Sequence, residues 1–343
     1  MKKIARLANF FKKSRLDALF LASHEQPSAN MLYFSGSFLD NSVFMARRDG
    51  ECALLVNTIN ESEAKEYSGP DVQVFKDSQD LWKKIKKMLF GCRSVALDCA
   101  SMSAKSYLEA KRNLREKRLF DASNEMLGLR GTKDSQELQL IRKSARIARD
   151  VIEGLVIKEG KTELELAKEL KIAAIEREAG LSFEPIVLSG KNTAMPHGKP
   201  SNKKVARGDV VLIDFGVKKQ NYCSDITRCF FFGNCKEERE NYEKLKRVFS
   251  ELVREAKAGQ QCSGIQKRCE LLMKKSGFGP MIHSPGHGIG LEVHENPSFS
   301  KKSKDKLVFG MALAIEPAIY LPGKYGLRYE DDVVVWKERA RVV

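Results

Sequence analysis

An apolar run that contains a single acid is the feature that most constrains the fold of this chain. Residues 210–217 read Val-Val-Leu-Ile-Asp-Phe-Gly-Val, so Asp214 lies within a segment apolar enough to form a buried strand. The polar residues 218–221 follow and predict a hairpin turn into a second strand, 222–228. Asp225 in that strand is as far from the middle of the polar segment as Asp214. The simplest register therefore places the two acids directly opposite each other.

Two opposed carboxylates destabilise a hairpin unless something compensates their charge. Opposed side chains have Cβ atoms about 5 Å apart, where like charges repel. Burial adds a desolvation cost, so Asp214 and Asp225 would need either a cation or a shared proton, as in an acid dyad of the aspartic-protease kind. A different register, with a Lys or Arg partner for each acid, would remove the conflict. On this hairpin alone the three alternatives stay open, with a metal slightly favoured.

The C-terminal region of the chain repeats this arrangement of acids. Residues 312–315 are apolar and are followed by Glu316, and a Pro-Gly-Lys turn centred on Gly323 precedes Glu330. Glu316 and Glu330 are equidistant from Gly323, so a second acidic pair lies across a second predicted hairpin. One such pair arises easily by chance. Two pairs in one domain strengthen the interpretation that the acids bind cations.

The histidines are concentrated in the same part of the chain. Of the five in the sequence, four lie beyond residue 185, namely His197, His283, His287 and His294. Glycines on both sides of His287 allow the backbone to approach a site closely. A lone histidine such as His197 is more often structural, and it becomes a candidate for catalysis only because of these neighbours. We expect His283 to support the site rather than to act in it.

The first 125 residues alternate short apolar runs with helical patterns, which is typical of an α/β domain. The predicted strands are 18–21, 42–45, 52–56, 72–75 and 95–97, and the predicted helices are roughly 3–14, 60–67, 78–90 and 102–116. A glycine-bearing segment near 125–132 marks a boundary. We therefore expect an N-terminal domain at 1–128 and a second domain at 129–343.

Two capping boxes open the second domain. Asp134 with Glu137 predicts the start of one helix, and Thr162 with Glu165 predicts the start of another that reaches about residue 178. Beyond residue 185 the pattern changes to strands and glycine-bearing turns. We therefore expect two helices followed by a region of strands that contains the acids and histidines.

The net charge of +15 raises the question of nucleic-acid binding. The lysines in 81–89 argue against it, because the apolar residues of that segment share one helical face and leave the lysines on the solvated face. The lysines in 301–306 are typical of an exposed basic loop. No zinc-finger spacing, aromatic RNA-binding signature or long basic tail accompanies them. We expect no nucleic-acid partner.

The short apolar stretches and the basic residues that interrupt them bear on the cellular compartment and on membrane association. No stretch approaches the roughly 20 residues that a membrane-spanning helix needs. Basic residues at 6, 12 and 13 interrupt the apolar core that a signal peptide would require. The eight cysteines form no CxxC pair, which favours reduced thiols over a disulfide framework. We expect a cytoplasmic protein with no membrane partner.

Six segments of the second domain together resemble one known family, the pita-bread metallopeptidases, in particular their Xaa-Pro branch of aminopeptidase P and prolidase. In chain order the segments are Pro196–Gly198, Ile213–Gly216, Ser224–Arg228, Gly286–Glu295, Ile315–Pro317 and Arg328–Asp332. Any one of them would be weak, but the joint match is specific and covers most of 183–335. The resemblance implies an α+β pita-bread (creatinase/aminopeptidase) catalytic domain, preceded by the smaller α/β domain of this branch.

The resemblance also implies a dinuclear metal site. Asp214 would chelate one ion, His287 with Glu316 would bind the other, and Asp225 and Glu330 would bridge the two. All five positions have the family's ligand type, which argues against members of the fold that have lost their metals. Four carboxylates balance two divalent ions, and oxygen-rich ligation with one imidazole suits Mn²⁺ or Co²⁺ and also Zn²⁺ or Fe²⁺.

The implied mechanism is attack on an amide carbonyl by a hydroxide that bridges the two ions. Ions about 3.5–4 Å apart lower the pKa of such a water towards neutrality. By the same resemblance, His197 and His294 would hydrogen-bond the substrate and stabilise the tetrahedral intermediate. Glu316 would carry a proton to the leaving amine. Thr227 and Arg328 would orient the carboxylates.

The expected substrate is a peptide with proline at its second position. Prolidases often carry an arginine shortly after the second histidine motif, whereas this chain has Ser298 there. That departure favours an aminopeptidase P-like enzyme that cleaves the Xaa-Pro bond of longer peptides. The alternatives are an Xaa-Pro dipeptidase, a methionine aminopeptidase-like enzyme, and a non-catalytic binding protein on the same fold. The resemblance further implies a homodimer.

Overall fold

The computed structural model describes residues 2–24 and 28–343 and divides the chain after Arg130 into two units. The expected boundary, between residues 128 and 129, lies close to this division. Apolar cores are present in both units, among them two in the C-terminal unit. All eight cysteines are unpaired, as expected. No helix of the described residues combines the length and the apolar composition needed to cross a membrane.

The N-terminal unit is an α/β domain built on a six-stranded mixed sheet. Its strands are β1 (Ala18–Ala22), β2 (Val43–Arg47), β3 (Cys52–Asn57), β4 (Asp71–Phe75), β5 (Ser94–Leu97) and β6 (Arg118–Asp121). Its helices are α1 (Lys2–Ser14), α2 (Ala29–Ser35), α3 (Glu61–Tyr67), α4 (Ser78–Met88), α5 (Ala104–Asn113) and α6 (Ser123–Gly131). The sheet order is β4-β3-β2-β1-β5-β6.

All five strands predicted for this unit are present, whereas β6, α2 and α6 were not predicted. Strand β6 was missed because three of its four residues are exposed, so it has no apolar alternation to reveal it. Helix α2 was missed because six of its seven residues are buried, which hides any amphipathic period. On α4 the apolar residues Ile85 and Met88 are buried, as the helical pattern predicted.

The C-terminal unit is α+β. Its helices are α7 (Ser135–Gly154), α8 (Glu163–Glu176), α9 (Lys236–Glu255) and α10 (Cys262–Lys275), with a short 3₁₀ helix at Gly190–Ala194. Its strands are β7 (Gly180–Leu181), β8 (Ile186–Ser189), β9 (Val210–Phe215), β10 (Val217–Lys219), β11 (Tyr222–Cys223), β12 (Ile226–Phe231), β13 (Gly286–Gly288), β14 (Glu295–Ser298), β15 (Ala312–Ile315), β16 (Ala318–Leu321), β17 (Tyr325–Arg328), β18 (Asp331–Val335) and β19 (Ala340–Val342).

Helices α7 and α8 begin at the predicted capping boxes. The Asp134 and Thr162 side chains each accept a hydrogen bond from the backbone three residues on, and Glu137 and Glu165 complete the boxes. The predicted strands and turns beyond residue 185 are present, but two helices that were not predicted, α9 and α10, also lie there. A signal was present, since α9 buries residues at helical spacing, namely Tyr242, Leu245, Val248, Phe249 and Leu252.

Strand β9 lies between the two cores of this unit and so fixes the direction of Asp214. Val211 and Ile213 pack into the core formed with α7 and α8. Val210 and Leu212 pack into the core formed with α9 and α10. Because side chains alternate along a strand, Asp214 points to the same side as Leu212, into the interior. Strand β9 is the centre of a three-stranded sheet, β12-β9-β8.

Candidate metal centre

The first acidic hairpin has a different register from the predicted one. Asp214 lies opposite Thr227, not opposite Asp225. The turn contains two residues rather than four, because Gln220 and Asn221 both adopt positive φ and the strands already pair at Lys219 and Tyr222. Moving the centre of the turn by one residue shifts the pairing by two.

Asp214 and Asp225 nevertheless share one face of the sheet. Asp225 lies two residues from Thr227, so it is the diagonal neighbour of Asp214, still within reach of a long side chain. Gly216 allows this arrangement, because a Cβ there would lie 2.0 Å from the Ser224 carbonyl oxygen. The close approach of the two strands thus depends on the glycine that follows the apolar run.

The second acidic hairpin has the predicted register. Strands β16 and β17 pair from Leu321↔Tyr325 to Ala318↔Arg328, and β15 and β18 continue in the same register at Ile315↔Asp331. Glu316 and Glu330 lie between these two sets of pairs and therefore oppose each other. Gly323 at the centre of the turn has a φ of 76°.

A third strand brings His287 to the acids. Strand β13 pairs with β15, and His287 lies opposite Ala314. Its Nε2 atom is 3.6 Å from Asp225 Oδ2 and 3.9 Å from Glu316 Oε1. One ligand atom from each of Asp225, His287 and Glu330 lies within 4.8 Å of the others. These four residues, which the sequence placed on separate segments, thus form one cluster.

Asp214 joins the cluster through Arg328. The Arg328 guanidinium donates a hydrogen bond to Asp214 Oδ2, and its Nε atom is 3.8 Å from Glu330 Oε2. Both side chains of the Asp214–Arg328 pair are buried. The proposed alternative of an arginine partner therefore applies to Asp214.

Burial and crowding shift the protonation of these groups. Burial, followed by the charges of Glu330 and Asp214, raises the pKa of Asp225 well above its ordinary value. The pKa of Glu330 is likewise raised, by burial and then by Glu316 and Asp214. Burial raises the pKa of Glu316 to about 8 and lowers the pKa of His287 to about 4. The cluster thus carries more negative charge than its surroundings accommodate.

The donor set fits divalent cations. Oδ1 of Asp214 and Oδ1 of Asp225 are buried and have no hydrogen-bond partner among the described residues. Buried carboxylate oxygens ordinarily have a partner, and a cation bound between the two hairpins would supply one. Oxygen donors with one imidazole match the preference of hydrolytic metals. Asp214, Asp225, His287, Glu316 and Glu330 would hold the ions.

A hydrogen-bond network surrounds the acids. Thr227 Oγ1 donates to Glu330 Oε2 at 2.6 Å and accepts from Arg328 Nε at 2.9 Å. Arg328 Nη1 also donates to the Tyr320 hydroxyl at 2.8 Å, and His283 Nε2 lies 3.0 Å from the same hydroxyl. Thr227 and Arg328 therefore contact the acids, as the resemblance implied.

Tyr320 and Asp332 belong to this network and were not predicted. Asp332 Oδ2 accepts a hydrogen bond from the Asp225 backbone N–H at 3.1 Å, so it supports the strand that carries Asp225. Tyr320 follows Glu316 by four residues, with Pro317 as the only break in the strand pattern. Counting alternate residues outward from Glu316 would have placed Tyr320 on the same face.

The two remaining predicted histidines differ in their relation to the cluster. The His294 ring centroid is 4.4 Å from that of His287, and the side chain is exposed. His197 is also exposed and borders a cavity of about 770 Å³. Burial lowers the pKa of His283, and the neighbouring Arg328 and His197 lower it further, so His197 lies within electrostatic range of the network.

An antiparallel α+β unit with a buried centre of four acids and one imidazole, beside the exposed His294, is the arrangement of a metal-dependent hydrolase. The comparisons with known proteins give the family. Residues 139–337 match the model of Metallopeptidase family M24, and residues 3–131 match that of the Creatinase/Prolidase N-terminal domain. The chain belongs to metallopeptidase family M24 and has the pita-bread fold that the sequence predicted.

Similar proteins match over nearly the whole chain. An Xaa-Pro dipeptidase of Pyrococcus furiosus is 31% identical, covering 99% of this chain and 97% of the relative. The solved structure of an Xaa-Pro dipeptidase from Bacillus anthracis has a TM-score of 0.92 at 28% identity and covers 100% of this chain and 96% of its own. That of an X-Pro aminopeptidase from Thermotoga maritima has a TM-score of 0.87 at 30% identity and covers 99% and 96%.

Proposed function

We propose that this chain is a metal-dependent peptidase that cleaves the bond between an N-terminal residue and proline. The convergence of Asp225, His287 and Glu330, with Glu316 and Asp214 beside them, carries the proposal. Membership of the peptidase family and the Xaa-Pro substrates named for its relatives support it.

Asp214, Asp225, His287, Glu316 and Glu330 would hold two divalent ions. When bound, such ions polarise a carbonyl and lower the pKa of water, which supplies the hydrolytic chemistry. We propose that the bound metal is Mn²⁺ or Co²⁺, with Zn²⁺ or Fe²⁺ as alternatives. Oxygen-rich ligation with one imidazole suits all four metals.

The protein's own residues bind the substrate and move the proton. His294, whose ring lies 4.4 Å from that of His287, and His197, which is also exposed, would hydrogen-bond the substrate carbonyl as charge develops on its oxygen. Glu316 would carry a proton to the leaving amine, as the resemblance implies. The leaving group of an Xaa-Pro bond is a secondary amine, because proline has no backbone N–H.

Two substrate lengths remain to be distinguished. The relatives named as dipeptidases favour Xaa-Pro dipeptides. Ser298 favours longer peptides, because it pairs with His287 at the position where prolidases often carry an arginine suited to a substrate carboxylate. The proposed function covers both, and a comparison of dipeptides with tripeptides measures the preference.

The test is hydrolysis of Xaa-Pro dipeptides and Xaa-Pro-containing tripeptides by metal-depleted protein, with and without added Mn²⁺ or Co²⁺. We expect release of the N-terminal residue only with metal, and loss of both metal binding and activity in Asp225→Asn. Asp150→Asn is the matched control, because Asp150 is exposed on α7. Absence of cleavage with every metal, despite stoichiometric metal binding, would reject the Xaa-Pro function.

The resemblance implies that the protein is a homodimer, and this oligomeric state is a prediction. Sedimentation velocity on the metal-loaded protein measures it directly. A single species of twice the 38.7 kDa chain mass is expected.

A further inference from the structure

Glu163 is a fully buried acid outside the metal centre. It lies in the first turn of α8, where the following residues Leu164 and Glu165 are exposed. Its relative exposure is 0%. A carboxylate is stable in such a place only when hydrogen bonds replace its hydration. The identity of its partners therefore shows what the residue does.

The partners of Glu163 lie at the two ends of one segment, Ser189 to Ser201, which we call the His197 segment. Oε1 accepts hydrogen bonds from the Ser189 N–H at 2.6 Å, the Ser189 hydroxyl at 2.9 Å and the Asn192 amide at 3.1 Å. Oε2 accepts from the Ser201 N–H at 3.0 Å and the Ser201 hydroxyl at 2.6 Å. One carboxylate thus ties both ends of the segment, with His197 between them.

The other side of the His197 segment is fixed against β17. The Gly326 N–H donates to Thr193 Oγ1 at 2.8 Å. A Cβ at Gly326 would lie 2.1 Å from the Thr193 carbonyl oxygen, so the two backbones are in close contact. Strand β17 also carries Arg328, which contacts Asp214. The segment is therefore held between Glu163 and the strand that adjoins the metal centre.

We infer that Glu163 is a positioning residue, which fixes His197 relative to the metal centre by closing the His197 segment. The inference rests on the proposed function, in which His197 contacts the substrate. A short loop with free ends would let an exposed imidazole sample many positions, and a displacement of about 1 Å can lower a rate up to about 100-fold. Glu163 removes that freedom without contacting substrate or metal.

Glu163→Gln is the decisive variant. Both oxygens of Glu163 accept hydrogen bonds, including one from a backbone N–H each, and a glutamine has only one carbonyl oxygen. The NH₂ group of the glutamine would face hydrogen-bond donors. One of these donors is a backbone N–H, which cannot rotate to avoid it. The variant therefore keeps the size of the side chain and releases one end of the His197 segment.

Glu165→Gln is the matched control. Glu165 lies in the same first turn of α8 and accepts a hydrogen bond from the Thr162 N–H, so its substitution removes the same charge from the same helix end. It makes no contact with the His197 segment among the hydrogen bonds of the described residues. Ser201→Ala, which removes one hydroxyl from one end, serves as a milder second variant should Glu163→Gln fold poorly.

The first readout is amide hydrogen exchange of the metal-depleted protein, which does not depend on activity. We expect faster exchange in residues 189–201 for Glu163→Gln and Ser201→Ala, with residues 312–316 unchanged and Glu165→Gln like the wild type. Unchanged exchange in 189–201 would overturn the inference.

The second readout is a double-mutant cycle with His197→Ala on an Xaa-Pro substrate. Glu163→Gln is expected to lower kcat/KM about 10- to 100-fold in the wild type and hardly at all when His197 is absent, with metal affinity unchanged. Equal losses in both backgrounds would show a general structural effect and overturn the inference. If the wild type cleaves no Xaa-Pro substrate, the proposed function fails, and hydrogen exchange still decides whether Glu163 fixes the segment.

Discussion

At the scale of single residues, the charge of the metal centre is only partly compensated by the protein itself. Arg328 contacts Asp214 and lies 3.8 Å from Glu330, whereas Asp225 and Glu316 have histidines as their nearest basic groups. One guanidinium faces four carboxylates. The balance between proton, arginine and metal therefore determines stability at this site.

The stability of metal-depleted protein is predicted to fall between pH 6.5 and 8. Burial raises the pKa of Glu316 from 4.5 to about 8, so its stabilising contribution is complete below pH 4.5 and is lost as the pH rises through 8. Burial lowers the pKa of His287 from 6.5 to about 4, so its contribution is complete above pH 6.5 and is lost as the pH falls through 4. Above pH 6.5 the contribution of His287 is constant, and only the loss from the acids remains, namely from Glu316 and from Asp225 and Glu330, whose pKa values are also raised.

Thermal or urea unfolding in the presence of a chelator measures this effect. Glu316 alone is expected to lower the free energy of unfolding by about 2 kcal/mol across that interval, and Asp225 and Glu330 add to the decrease. Glu316→Gln should make the decrease smaller, and saturating Mn²⁺ should remove it, because the metal replaces the proton. A stability that stays constant or rises from pH 6.5 to 8 would contradict the assignment.

Arg328→Met is predicted to destabilise metal-depleted protein more than metal-loaded protein. The substitution leaves Asp214 buried without its cationic partner, and breaking a buried ion pair on one side costs about 3–5 kcal/mol. Bound metal would compensate part of that charge. The measurement is the shift in Tm with and without Mn²⁺, and equal shifts in both conditions would show that Arg328 acts independently of the metal charge.

At the scale of secondary-structure elements, Gly216 determines how closely the first hairpin brings its acids together. Gly216→Ala is predicted to push the Ser224 carbonyl away, to lower stability by about 1–3 kcal/mol and to weaken metal binding. Gly180→Ala is the matched control, since a Cβ at Gly180 would meet its nearest atom, the Lys218 carbonyl oxygen, at an ordinary 3.8 Å. Calorimetric titration with Mn²⁺ distinguishes them, and similar affinities in both variants would contradict the role of Gly216.

The two hairpins show which parts of this site could be predicted. Equidistance from a turn gave the register of Glu316 and Glu330, because Gly323 marks the centre of that turn unambiguously. The first turn carries no glycine. Gln220 and Asn221 adopt positive φ there, which glutamine seldom does, and the register was therefore missed by two residues.

Contacts between strands and side chains far apart in the sequence could not be derived from local sequence patterns. The acids and histidines were identified individually, but the sequence contained no pairing rule to bring β13 beside β15 or Arg328 onto Asp214. The resemblance to a family supplied that grouping. Glu163 was missed because its role depends on Ser189 and Ser201, which lie 26 and 38 residues further along the chain.

At the scale of the whole molecule, an acidic centre lies within a strongly basic chain. The net charge is +15, and the lysines that stood out in the sequence, such as those at 301–306, are exposed. Non-specific attraction to polyanions is expected from such a surface. Such attraction indicates a function in nucleic-acid binding only if the binding persists when the salt concentration is raised.

Binding to duplex DNA or to heparin is predicted to be detectable at low salt and lost by about 200 mM salt, since exposed charges alone sustain it. It should show no preference among nucleic-acid sequences and should leave peptidase activity unchanged. Filter binding across a salt series measures it. Selective binding that persists at 200 mM would revive a nucleic-acid role.

The arrangement of the acids in two hairpins also bears on the order of folding. Each pair is local in sequence, so each hairpin can close within microseconds. The bond between Thr227 and Glu330 joins residues 103 positions apart, and that contact must wait for a slow, long-range closure. A complete metal site therefore exists only when the C-terminal strands have docked. Metal ions would consequently slow the unfolding of the finished domain far more than they would accelerate its formation.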